Sequence, residues 1–394
     1  MQKKYDFDTI LDRSGSSSYK YDLMEKYFGT QDALALWVAD MDFATPDFIM
    51  ESIRKRCEHE VLGYTVVQDG WYSSIQNWLK KKHGWDVKRE ELGFVPGIVS
   101  GIAFFIQCFT NEGDKILIQT PVYPPFFNVP KKNNREVVVN QLVFNNGKLE
   151  IDFEDFEAKA ASGCKAFILC SPHNPGGRVW TEEELSKMLQ ICSKYDLLVI
   201  SDEIHADLAL LGFKHHPAAN LPLQSTPRIV TLMAASKSFN IPGLSSSFYI
   251  IRDERIRKEF IDFLDKAELS NGSLFAFIAP QAAYEKGEDW LRQLTEYLQD
   301  NVAYVDHFLQ AHIPDIKASI PEASFLIWLD CRALNLDSKD LQNLFLKEAK
   351  LALNPGVSFG AGGEGFMRLN IGCPRVVLCE AMGRLKKAYE SLNS

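Results

Sequence analysis

One lysine set between serines, Ser236-Lys237-Ser238, follows an apolar run, Arg228-Ile229-Val230-Thr231-Leu232-Met233, and two alanines. The run is β-branched and lacks a helical period, so it predicts a short buried strand, with Pro242-Gly243 as the breaker beyond it. A lysine at the tip of such a strand either caps the strand end or has its amine paired or covalently used, because an unpaired buried ammonium is costly. Desolvation lowers a lysine's pKa and suits its amine to a Schiff base with a carbonyl cofactor such as pyridoxal phosphate. Three more chemistry-bearing residues stand just past apolar runs: Tyr123 in Pro121-Val122-Tyr123-Pro124-Pro125, Asn174 in His173-Asn174-Pro175-Gly176-Gly177, and Asp202 in Asp202-Glu203-Ile204-His205.

Each of these has an ordinary reading and a chemical one. Asp202 could cap a helix, or it could pair with a pyridinium nitrogen and make the ring a better electron sink. Asn174 could be a turn residue, or its amide could bond a phenolic oxygen on a cofactor ring. Tyr123, held between prolines, could pack, or stack on the ring face. His205 could be a surface histidine or a partner behind the ring.

The elements that must position these residues alternate. Leu92–Val95, Lys115–Ile118, Arg135–Val139, Ala166–Cys170, Leu197–Ser201 and Arg228–Met233 read as strands. Helices are expected near 47–60, 70–83, from Ile98 to Phe109, and near 181–194. Buried apolar strands separated by helices predict a parallel sheet with helices on both faces, whose ligands gather at the strands' carboxyl ends. Pro96-Gly97-Ile98-Val99-Ser100-Gly101 is a glycine turn into a helix; it is a plain βα turn, or a phosphate cradle of free backbone N–H groups. Farther on, a helix is expected from about 285 to 311, a strand at Ala323–Asp330 and a helix near 338–350. Asn354–Gly360 reads as a loop able to close the site, and Gly360-Ala361-Gly362-Gly363 suits a mobile lid or a plain flexible loop equally.

The chain of 394 residues, 46% hydrophobic and 24% charged, permits a large core. Its net charge of -9 argues against nucleic acid as a main partner. The eight cysteines form no Cys-x-x-Cys pair and no zinc-spaced cluster, so no metal is expected. No apolar leader or membrane-length run is seen, and a cytoplasmic protein is expected.

Taken together, Tyr123 with its prolines, His173-Asn174-Pro175-Gly176-Gly177-Arg178-Val179-Trp180, Asp202-Glu203-Ile204-His205-Ala206-Asp207 and Ser236-Lys237-Ser238-Phe239-Asn240 resemble fold type I pyridoxal phosphate enzymes. With Trp37-Val38-Ala39-Asp40-Met41-Asp42-Phe43 and Met367-Arg368-Leu369-Asn370-Ile371-Gly372, the chain is more narrowly similar to the MalY/PatB class of cystathionine β-lyases, or carbon–sulfur lyases. The resemblance runs from about residue 6 to the C-terminus.

It implies an α/β fold of the aminotransferase type. A large domain over 46–284, with a mostly parallel seven-stranded sheet, would bind the cofactor; a smaller α+β domain would combine 1–45 with 285–394. Lys237 would carry the cofactor and act as base on the substrate Cα, with Asp202 at the pyridine nitrogen, Asn174 at the ring hydroxyl and Tyr123 on the ring. His205 would belong to the cofactor site. The Ile98 and Val99 amides and Ser236 would hold the phosphate, joined by Tyr64 of the partner subunit in a homodimer with shared sites. Arg368 would clamp the substrate carboxylate, and Trp37 and Asn174 would face the substrate. The related aminotransferases often carry an arginine about eight residues past the lysine; here that position is Ser245, a departure that bears on phosphate binding. The implied reaction is β-elimination of cystathionine or another cysteine conjugate, a step toward methionine. A broad aminotransferase and a regulatory protein retaining the cofactor are the other readings.

Overall fold

The computed structural model describes residues 3–223, 227–269 and 271–392. Its largest sheet has seven strands: β1 (Leu92–Val95), β2 (Lys115–Thr120), β3 (Glu136–Gln141), β4 (Cys164–Cys170), β5 (Leu198–Asp202), β6 (Ile229–Met233) and β7 (Ser247–Ile250). Their spatial order is β1-β7-β6-β5-β4-β2-β3. Neighbours from β6 to β3 pair in parallel, and β7 runs antiparallel to both β6 and β1. The expected mostly parallel seven-stranded sheet is therefore present.

Alternation along the strands explains why both faces must be covered. Ile168, Ile200 and Val230 pack with Phe105 and Ile106, from the helix Ile98–Phe109, on one face. Phe167, Leu169 and Val199 pack with Met188 and Leu189, from the helix Glu182–Lys194, on the other. Such runs show no polar alternation because neither face meets water.

A second sheet of four strands, β8 (Lys317–Ser319), β9 (Leu326–Asp330), β10 (Asn354–Pro355) and β11 (Phe366–Asn370), has the order β8-β9-β11-β10 and is antiparallel throughout. The N-terminal segment joins this part of the chain, since Leu34–Ala35 pairs in parallel with Leu351–Ala352. No helix among the described residues is long and apolar enough to cross a membrane.

Several expectations are corrected. Two helices stand here: Leu274–Lys286, which was not expected, and Glu288–His312, which is the helix expected from about 285 to 311. The first buries Ala276, Phe277, Ala279, Pro280, Ala282 and Ala283, so its apolar residues carry no one-sided period to read. Helix 47–60 stops at Cys57, and the helix near 338–350 passes at Leu344–Glu348 into a wider π turn. The strand expected from Ala323 starts at Leu326, because Ser324 has φ 77 and leaves extended geometry. β7 and the helix Glu254–Lys266 were not foreseen from the sequence.

Candidate active site

The site forms where the carboxyl ends of β4, β5 and β6 face the segment Trp37–Ala39 and β11. A cavity of about 420 Å³ lies there, lined by Ile98, Val99, Tyr123, Asn174, Asp202, His205, Ser236, Lys237, Arg368 and Trp37 among others. Of the residues singled out in sequence, only Tyr64 lies elsewhere: it is fully exposed on this chain, in a loop with exposed Val61, Leu62 and Val66.

Asp202 ends β5 and is buried, its Oδ1 accepting the Ile204 N–H at 3.1 Å. Burial in a site with no ion-pair partner pushes its pKa up to about 7. Lys237 follows β6 by four residues. Burial pulls its pKa down to about 8, against a partial upward pull from Asp40. Its Nζ donates to the Ala39 carbonyl. Beside it, Ser238 gives its hydroxyl to Asp207 at 3.1 Å, and Asp207 also accepts from Trp78 and His83, each at 2.9 Å. The lysine loop is thus anchored from behind by a buried carboxylate.

Arg368, in the middle of β11, is fully enclosed. Its Nη1 donates to Asn174 Oδ1 at 3.2 Å, and its Nη2 to the Trp37 carbonyl and to Asn354 Oδ1, both at 2.6 Å. Burial lowers its pKa to about 10, and its Nε is left without a partner. A buried guanidinium lining a cavity is suited to a carboxylate.

At the other end the helix Ile98–Phe109 begins. Gly97 has φ 145, which a side chain would strain, and the helix's first backbone bond is from Gly101 N–H to the Gly97 carbonyl at 2.9 Å. The amides of Ile98, Val99 and Ser100 therefore lack helical acceptors, and Ser236, Ser245, Ser246 and Ser247 line the cavity with them. Ser245 stands among these hydroxyls, so this end of the cavity presents amides and hydroxyls.

These residues fit pyridoxal phosphate. Asp202 is a buried carboxylate in want of a cationic partner, the helix start suits a phosphate, and a depressed lysine stands in the same cavity. His205 lines the cavity as a neutral imidazole, burial holding its pKa down to about 3, with Nδ1 unpartnered. Trp37 lines the cavity too, its indole N–H donating to the Lys20 carbonyl at 2.9 Å and its own carbonyl accepting from Arg368. Sequence reading missed Asn354, read only as the start of a loop, and the Ala39 carbonyl, which no side chain advertises. Asn354–Gly360, expected as a loop able to close the site, is instead a short strand, Asn354–Pro355, followed by a tight helical turn, Gly356–Phe359. Asn354 pairs with Arg368 in the sheet, and a Cβ on Gly356 would fall 2.1 Å from the Gly363 carbonyl oxygen, so those glycines serve close packing.

Comparison with known proteins agrees with this geometry. The family described as aminotransferase class I and II matches residues 32–385. Cystathionine beta-lyase PatB of Bacillus subtilis (strain 168) is 42% identical over 383 residues, 97% of this chain and 99% of that protein. Protein MalY of Escherichia coli (strain K12) is 34% identical over 391 residues, 98% of this chain and 100% of that one. The crystal structure of the PLP-bound C-S lyase from Staphylococcus hominis superposes with TM-score 0.91 at 36% identity, covering 98% of each chain. The lysine, aspartate and arginine converge on one cavity in a chain similar to these proteins over nearly its whole length, and so the chain belongs to the aminotransferase class I and II family, within the group that includes PatB and MalY.

Proposed function

We propose that the chain is a pyridoxal phosphate-dependent carbon–sulfur β-lyase. It cleaves the Cβ–S bond of cystathionine or a related cysteine S-conjugate, giving a thiol (homocysteine from cystathionine), pyruvate and ammonia. The observation that carries this reading is the 42% identity to a cystathionine beta-lyase over 97% of the chain, joined to a cavity that keeps Lys237, Asp202 and Arg368 together.

The amides of Ile98 and Val99 with Ser236 would hold the phosphate, Asp202 would face the ring nitrogen, Asn174 the ring hydroxyl, and Tyr123 the ring. Bound there, the cofactor supplies a carbonyl for amines and a ring that takes up the electron pair left when Cα loses its proton. Arg368 turns its guanidinium to the substrate carboxylate and so fixes which Cα bond faces Lys237. Asp202, ionised beside a cation, holds the proton on the ring nitrogen. Lys237 takes the Cα proton; the Cβ–S bond then breaks with its pair leaving on sulfur, and the lysine returns the proton there. The aminoacrylate left after elimination is released and takes up one water, giving pyruvate and ammonia.

Also proposed are the division into 46–284 and 1–45 with 285–394, for which the pairing of Leu34–Ala35 with Leu351–Ala352 speaks; a homodimer in which Tyr64 of the partner subunit completes the site; and a cytoplasmic location, with which eight free cysteines agree.

The test is product formation by cofactor-loaded protein given L-cystathionine and no keto acid. Pyruvate and free thiol in equal amounts, lost in Lys237→Ala, are expected. Amino transfer only after a keto acid is added would replace the lyase with an aminotransferase. A cofactor-binding protein silent in both assays would point to regulation.

A further inference from the structure

The segment Trp37–Phe43 crosses the cavity with no regular secondary structure, yet its carbonyls are nearly all gripped by side chains. Arg368 holds Trp37, and Asn370 Nδ2 holds both Val38 at 2.6 Å and Asp40 at 2.7 Å. Lys237 holds Ala39, and Asn240 Nδ2 holds Met41 at 2.9 Å and Phe43 at 2.8 Å. The two asparagines are themselves fixed. Asn370 sits in β11, fully buried, with Oδ1 accepting the Gly372 N–H at 2.8 Å. Asn240 lies three residues past Lys237 with φ 54, and its Oδ1 accepts the Met41 N–H at 3.0 Å.

Two of these grips belong to groups that the reaction takes away. Arg368 must turn to a substrate carboxylate, and Lys237 must bond the cofactor and later leave it. The other grips come from residues with no chemical task. We propose that Asn240 and Asn370 are positioning residues for the reaction, holding the strap so that the Ala39 carbonyl receives the Lys237 amine each time a substrate amine displaces it. This rests on the reading of Lys237 as the base at Cα.

The physical need is specific. A free lysine amine swings on a long flexible stem, and its capture at one point restores orientation. With one N–H bonded to Ala39, the lone pair is left for the Cα proton. When that proton moves to Nζ, the Cα–H electron pair stays with carbon, and the carbonyl accepts from an ammonium, a stronger bond than from an amine. On departure of the thiolate the same proton passes from Nζ to sulfur. A strap that wandered would offer Lys237 no fixed acceptor.

The experiment uses cofactor-loaded protein and L-alanine, an amino acid with no leaving group at Cβ. Asn240→Gly keeps the positive φ while deleting the grip; Asn370→Asp keeps shape and the Gly372 contact while removing both donors. Two quantities are read per loaded site. One is the alanine concentration that displaces Lys237, followed by the cofactor's visible spectrum. The other is the rate of Cα proton exchange with deuterated water. We expect displacement to need about 10-fold more alanine, as for one lost hydrogen bond, and exchange to slow by about 10- to 100-fold. A purely structural role would lower cofactor loading and leave both per-site quantities alone. Values within twofold of wild type in either loaded variant would overturn the proposal. Wild-type protein that exchanges the alanine proton but makes no pyruvate from cystathionine would sink the lyase reading alone.

Discussion

Asp202 and Lys237 share one cavity, and burial acts on them in opposite directions. Before the cofactor binds, the aspartate's pKa is raised from 3.8 to about 7 and the lysine's is lowered from 10.5 to about 8. A raised carboxyl pKa means the folded state holds the proton more tightly, so this contribution to stability is full below about 4 and is lost as pH climbs to 7. A lowered amine pKa acts the other way, so stability is recovered as pH rises from 8 toward 10.5. The cofactor-free protein should therefore be least stable, from these two groups, between pH 7 and 8. Thermal unfolding of the apoprotein across pH checks it: Asp202→Asn should remove the decline between pH 4 and 7, a difference on the order of a few kcal/mol. In the loaded enzyme the same substitution should reduce kcat by about 100-fold or more, because an amide cannot stabilise a cationic ring nitrogen. At this scale the sequence was most informative. Lysine and aspartate at strand ends betray themselves because burying a charge needs a reason, whereas Arg368 came only with the resemblance. The Ala39 carbonyl and Asn354 gave no such sign, since a backbone oxygen is present at every residue and an asparagine before proline is the ordinary content of a loop.

At the scale of elements, the loop carrying Asn174 is tied to the second sheet by one buried carboxylate. Glu322 accepts from Lys148 at 2.6 Å, from Arg178 Nε at 3.2 Å and from the Val179 N–H at 2.9 Å. The Gly177 carbonyl completes the tie by accepting the amides of Glu322 and Ala323. Glu322→Ala leaves the buried Arg178 guanidinium with one carboxylate, Glu184, and should cost about 3 kcal/mol in urea unfolding. Because Asn174 also accepts from Arg368, the loss should raise KM for the amino acid more than it lowers kcat. β2, β4, β5 and β6 were legible because parallel strands buried on both faces read as unbroken apolar runs, and the edge strand β3 because Val137-Val138-Val139 is β-branched. β7 was not: Ser247-Phe248-Tyr249-Ile250 is short and emerges from Ser245-Ser246, where composition suggests a turn. The helix Leu274–Lys286 escaped for the opposite reason, being apolar on every side.

For the molecule as a whole, the exposed loop with Val61, Leu62, Tyr64 and Val66 presents apolar side chains that a lone chain has no reason to show to water. If a partner subunit takes up this loop, two inactive proteins should repair each other. Mixing Tyr64→Ala with Lys237→Ala under exchange conditions should restore up to about a quarter of wild-type activity, since half the dimers are mixed and each mixed dimer has one sound site. No recovery, with mixed dimers shown to form, would return Tyr64 to its own chain. Nearer the site, Arg13 and Lys20 neutralise Asp40 and Asp42, with Lys20 wholly enclosed against Asp42 at 2.7 Å. That quartet pins the strap Trp37–Phe43, made early in synthesis, against a place that Arg368 and Asn370 fill only near its end. A chain still lacking β11 would hold this strap from Arg13, Lys20, Lys237 and Asn240, without the grips of Arg368 and Asn370.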